Sequence, residues 1–204
     1  MYCHFVETYA KLYTLINAFH LQWIEITNGS SDFYLNQGNY EQGEIYMHKT
    51  KNNLSKEQRA KVVEILNSRL ADASDLKSQA KQAHWNVKGM SFFELHQLFD
   101  QVATEAEAYS DLIAERVTAL GGTALGTIRV AAQKSSLSEY PLEITDGRDH
   151  VDAVSTALAD FGKLIRQNID DTDEIGDADT ADLFTEISRG VDKSLWFVEA
   201  HIQS

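Results

Sequence analysis

Five side chains in this sequence have the types and spacing that metal chemistry needs: His84, His96, Asp100, Asp111 and Glu115. Imidazole nitrogens and carboxylate oxygens together suit Fe(II), with Zn(II) and Mn(II) as competitors. At about 100° per residue, His96, Asp100, Asp111 and Glu115 fall within a sector of roughly 100° on one helix. His96 with Asp100, and Asp111 with Glu115, are i,i+4 neighbours, so each pair presents two donors together. The two pairs cannot meet on their own helix. At about 1.5 Å per residue they stand roughly 22 Å apart, whereas metal–ligand bonds are about 2 Å long. Antiparallel pairing of two identical helices removes the difficulty. A two-fold axis near Glu105–Ala106 sets His96 and Asp100 of one chain against Asp111 and Glu115 of the other. His84, at the end of the preceding helix, joins from the side, giving two equivalent sites per dimer. Spacing alone leaves a plainer reading open, in which the same pairs are exposed helix neighbours worth a few tenths of a kcal/mol, ~0.3.

Other site architectures have less support. No Glu is followed three residues later by His, the pattern that bundle di-iron enzymes use within one chain, and no His-Glu-x-x-His occurs. Glycine-rich phosphate loops and a serine-hydrolase elbow are missing too. The one cysteine, Cys3, excludes a disulfide scaffold and a cysteine-rich zinc site.

Long helices must position the donors. The 204 residues include one proline and 11 glycines, which disfavours a turn-rich β-sandwich. Ser55 with Gln58 forms a capping box that opens a first helix. Val62, Leu66, Ala73, Ala80 and His84 follow at helical spacing, and Gly89 offers a stop. Ser91 with Glu94 reads as a second capping box, opening a stripe from Leu95 to Leu120 that ends at Gly121-Gly122. A short helix is expected around Thr127–Leu137. Two further long helices carry Val151 to Ile169 and Leu183 to Ile202. The expected fold is all-α: a four-helix bundle over residues 47–204, with a long crossover link that holds the short helix.

Residues 1–46 form an N-terminal extension of different character. Phe5, Tyr9, Leu12, Ile16, Phe19 and Trp23 step by four and three, as in an amphipathic helix, and residues 28–46 read as a polar linker. The alternative is that Met47 is the true start. No segment reads as a membrane span, and the beginning is a poor signal peptide, so a cytoplasmic location is the default expectation. The formal net charge of −13 favours cations over phosphate backbones across the surface as a whole.

The run Gln82-Ala83-His84-Trp85-Asn86-Val87-Lys88-Gly89, then Phe92/Phe93, Leu95-His96 and Phe99-Asp100, resembles the Dps family of ferritin-like mini-ferritins. Asp111-Leu112-Ile113-Ala114-Glu115-Arg116 and Asp192-Lys193-Ser194-Leu195-Trp196-Phe197 extend the likeness over roughly residues 54–202. The resemblance implies a hollow homo-dodecamer with ferroxidase centres at its two-fold interfaces. It draws His84, His96 and Asp100 from one subunit and Asp111 and Glu115 from the neighbour. It implies oxidation of Fe(II) to Fe(III), preferably by hydrogen peroxide, and storage of a ferric mineral in the cavity. Trp85 would be a packing residue or an electron donor beside the centre. Asp177 and Asp182 would line a three-fold inlet pore for iron, while Asp179 stabilises a helix start.

Some members of that family bind DNA through lysine-rich termini. Here Lys49, Lys51, Lys56, Arg59 and Lys61 cluster ahead of and within the first bundle helix, although the C-terminus has no basic tail. Three functional classes therefore stand at the sequence level. They are an iron-oxidising storage protein, a DNA-compacting nucleoid protein with a vestigial metal site, and a plain oligomeric bundle.

Overall fold

The structure is a computed structural model, and it describes residues 47–203. The expected N-terminal helix and linker lie outside the described residues. Five helices follow in order: α1 (Lys56–Asn86), α2 (Phe92–Ala119), α3 (Ile128–Lys134), α4 (Gly147–Ile175) and α5 (Ala178–Glu199). No strand occurs among the described residues, and none of their helices is long and apolar enough to cross a membrane.

Each helix begins and ends where local chemistry dictates. Ser55 caps α1 through a reciprocal box in which its Oγ accepts from Gln58 N while Gln58 Oε1 accepts from Ser55 N. The expected second box does not form. Ser91 has ψ 25°, away from the extended geometry a cap needs, and its side chain makes no capping bond. The turn at Gly89 (φ +104°) starts α2 instead, with Phe92 N donating to Gly89 O. α2 closes in a Schellman motif: Gly121 is left-handed (φ +84°), Gly121 N donates to Thr118 O and Gly122 N to Val117 O. A Cβ on Gly121 would also stand 2.7 Å from His48 O, so glycine is required there twice over.

Side-chain contacts fix the topology. Gln58 Nε2, at the start of α1, donates to Ile175 O at the end of α4, so these helices run antiparallel. Arg116 near the end of α2 meets Thr180 near the start of α5, which makes that pair antiparallel as well. Two antiparallel hairpins, α1–α2 and α4–α5, thus pack with α2 and α4 pointing the same way, and only a long crossover can join those two. The crossover runs along α1. Leu125 N donates to Asn67 Oδ1, Ser136 N to Asp72 Oδ1, and Gln79 Nε2 to Ser138 O. The predicted apolar stripes close on one core, where Leu66, Leu76, Phe99, Ile113, Leu158, Phe161, Phe184 and Ile187 are buried.

Candidate metal centre

The last turn of α1 and the start of α2 bring His84 and His96 together, with Asp100 one turn further along α2. The two imidazoles stack, with centroids 3.7 Å apart and planes at 22°. Each ring is held by the other residue's main chain: His84 Nδ1 lies 2.7 Å from His96 O, and His96 Nδ1 lies 2.8 Å from His84 O. A carbonyl can only accept, so both Nδ1 atoms donate, and in the neutral ring this leaves the lone pair on Nε2. This is the tautomer in which an imidazole binds metal through Nε2, fixed by main-chain acceptors. Neither Nε2 makes a hydrogen bond among the described residues. Phe92 covers the His96 ring at 5.2 Å.

Asp100 stands one turn further along α2 and is ion-paired to Lys81. The bond from that ammonium holds the Asp100 carboxyl below the usual carboxylate range, so the group is an anion. Lys81 is the residue near the donors that sequence reasoning missed. Its signal was present in the spacing, one turn before His84 on α1.

Asp111 and Glu115 lie further down α2, away from the other three. Both are exposed, and neither carboxylate makes a hydrogen bond or ion pair among the described residues. Asp111 borders an open groove of about 950 Å³ between α1, α2 and α3. Lys81 and Trp85 border the same groove, together with Leu70, Ala114, Ile128 and Ala131. Trp85 is 66% exposed and Ile128 88% exposed, so this wall presents large apolar surface to solvent. Among the described residues, no three of His, Cys, Asp and Glu in one chain gather closely enough to hold a metal ion.

The two expected pore residues differ in surroundings. Asp177 is 3% exposed, and both its oxygens are engaged. Oδ1 accepts from Arg116 Nη2 at 2.6 Å and from Thr180 N at 3.2 Å, while Oδ2 accepts from Thr180 Oγ1 at 2.5 Å. It is the N-cap of α5. Asp179 lies in the first turn of that helix, 3.9 Å from Arg116. Asp182 is exposed.

The lysine cluster is also altered. Lys49, Lys51, Lys56 and Lys61 are exposed. Arg59, by contrast, is buried, and its guanidinium donates to Leu120 O at 2.6 Å and to Leu54 O at 3.3 Å. It closes the end of α2 and leaves the surface cluster to the lysines.

Comparison with known proteins matches residues 63–204 to the family described as "Ferritin-like domain". A relative from Agrobacterium fabrum named "DNA protection during starvation protein" is 47% identical over 76% of this chain and 96% of its own length. A relative of the same name from Brevibacillus brevis is 33% identical, over 70% of this chain and 95% of its own. Among solved structures, Dps from Microbacterium arborescens in the high iron form superposes with a TM-score of 0.68 at 33% identity, over 72% of this chain and 96% of that one. DpsC from Streptomyces coelicolor gives a TM-score of 0.74 at 29% identity, covering 78% and 92%. Paired helical hairpins, the crossover lying along α1 and the extent of identity to these relatives lead to one assignment: the chain belongs to the Dps family of ferritin-like proteins.

Proposed function

We propose that this protein oxidises Fe(II) to Fe(III), preferably with hydrogen peroxide, and stores the product as a ferric mineral inside a hollow homo-oligomer, a dodecamer in the family pattern. Each centre takes His84, His96 and Asp100 from one chain and Asp111 and Glu115 from a second chain across a two-fold axis. The observation that supports this reading is that the chain holds two incomplete halves, one at the end of α1 and start of α2 and one further along α2. One half has two Nε2 lone pairs aimed away from their main-chain anchors, and the other has two exposed carboxylates without partners among the described residues. The apolar groove beside them, walled by Trp85 and Ile128, supplies surface for a second copy to cover. Trp85 then packs at the interface next to the centre.

Iron is the substrate, and electron counting explains why two ions must sit together. Two Fe(II) give the two electrons that, with two protons, reduce hydrogen peroxide to two waters. A single Fe(II) supplies one and releases a hydroxyl radical. The protein's part is to fix the donors at one place and hold them until both ions are present. Asp182 is assigned to the inlet by which iron reaches the cavity, and Asp177, whose oxygens are engaged, sets the start of the helix that carries it.

The test is Fe(II) oxidation by peroxide, followed by absorbance, in His96→Ala, Asp111→Ala and a re-assembled mixture of the two. Each variant alone should lose the reaction, and the mixture should regain part of it, because one of the two sites in a mixed dimer has all five donors. A centre built within one chain gives no recovery.

The exposed lysines at the start of α1 favour a second reading, DNA binding repeated around an oligomer. A gel shift that weakens with salt, run with and without residues 1–46, tests it. A cytoplasmic location fits both readings, with nucleoid association under the second.

A further inference from the structure

Away from the proposed centre, a cavity of about 320 Å³ lies between α4, the end of the crossover and Gln79 on α1. Its α4 wall has charge at both ends and a small, largely apolar middle. Asp149 and Asp152 stand toward the start, then Ala153, Thr156 and Ala157, then Asp160. Asp152 and Asp160, eight positions apart, are separated by about 12 Å along the helix. Pro141 and Ile144 line the cavity from the crossover, and Glu139 adds a fourth carboxylate. None of the four carboxylates accepts a hydrogen bond or forms an ion pair among the described residues. Gln79 is an independent sign of a ligand. It is 6% exposed, and its Nε2 donates to Ser138 O at 2.9 Å. That bond fixes the amide and leaves Oε1, on a side chain that lines the cavity, without a donor among the described residues. A buried amide oxygen ordinarily has a donor, so this one is open to a ligand's N–H.

The charges are too dispersed for a point cation. Among the described residues, no three carboxylates or imidazoles gather closely enough to hold a metal ion. A long cation fits the same spread, with ammonium groups at the separated carboxylates and methylenes on Ala153, Ala157, Pro141 and Ile144. We propose that this cavity binds an aliphatic polyamine, its end ammonium groups on Asp152 and Asp160 and an inner amine N–H donating to Gln79 Oε1. Bound there, the polyamine pins the end of the crossover to α4 and α1. The site is independent of the iron reading.

Calorimetric titration of the assembled protein with spermidine at low salt tests it. One saturable site per chain is expected, with a melting temperature that rises with spermidine concentration. Asp152→Asn and Asp160→Asn should each weaken binding by about fivefold, the effect of losing one exposed ion pair. Asp173→Asn, near the other end of α4 and outside the cavity, should leave binding unchanged. Thr156→Phe fills the middle of the cavity without altering charge and should weaken binding at least as much. Thr156 is exposed, so that variant is expected to fold. Butylamine, with one ammonium, and Mg(II), a compact and strongly hydrated dication, should each bind at least about tenfold more weakly. Equal weakening by Asp152→Asn and Asp173→Asn, or none by Thr156→Phe, means diffuse attraction to an acidic surface and overturns the proposal. So does Mg(II) binding as tightly as spermidine, or the lack of any saturable step.

Discussion

The two ends of α2 carry similar residue types and treat them in opposite ways. At its start, two imidazoles and a carboxylate sit near the surface, their ring Nε2 atoms without partners among the described residues. At its end, Arg116, Asp177 and Thr180 form a buried set in which both carboxylate oxygens are engaged. Saturated buried polar groups hold a fold together, whereas polar groups with spare lone pairs at a surface are left open to water or to a ligand. Residue type does not separate the two cases, but the count of satisfied atoms does.

Replacing the proposed donors should break function without breaking the fold, and this is the largest effect expected. His84→Ala or His96→Ala should weaken Zn(II) binding by at least about a hundredfold while the melting temperature moves little. If either variant melts as early as the next one, the start of α2 is as structural as its end and the contrast fails.

Arg116→Ala strands a carboxylate that is 3% exposed. Breaking such a pair should cost about 3 kcal/mol and lower the melting temperature by roughly 6–12 °C, read by calorimetry.

A third measurement probes the layer beneath the open end. His150, at the start of α4, is 1% exposed, with its Nδ1 2.5 Å from the Tyr140 hydroxyl and its Nε2 without a partner among the described residues. Burial pushes its pKa below the ordinary value of 6.5, so the folded protein holds it neutral. The unfolded chain binds the proton more readily, so this contribution is complete above about pH 6.5 and is lost as pH falls below it. His150→Gln should flatten that part of a melting-temperature profile between pH 5 and 7.

Asp182→Asn should have the smallest effect, a few-fold slowing of iron uptake into the mineral. An unchanged rate would remove Asp182 from the inlet.

Much of this was legible from spacing. The apolar stripes and the Ser55–Gln58 box are local patterns, and the four long helices follow from them. The five proposed donors could be grouped because four share one helix face, whose geometry is fixed. Contacts between distant elements were not legible. Arg59 reads as one more surface cation until Leu120 O is placed beside it. Asp177 reads like its acidic neighbours until Arg116 comes from 61 residues away. Ser91 with Glu94 has the letters of a cap, but the tight turn at Gly89 gives Ser91 the wrong backbone angles.

The mutual grip of His84 and His96 bears on how the protein matures. The two lie only 12 positions apart, so this contact closes early and at small entropic cost during folding of the α1–α2 hairpin. Subunits would then meet with their imidazoles already aimed. In the proposed assembly, docking would join finished halves, with no metal needed as a template to shape them.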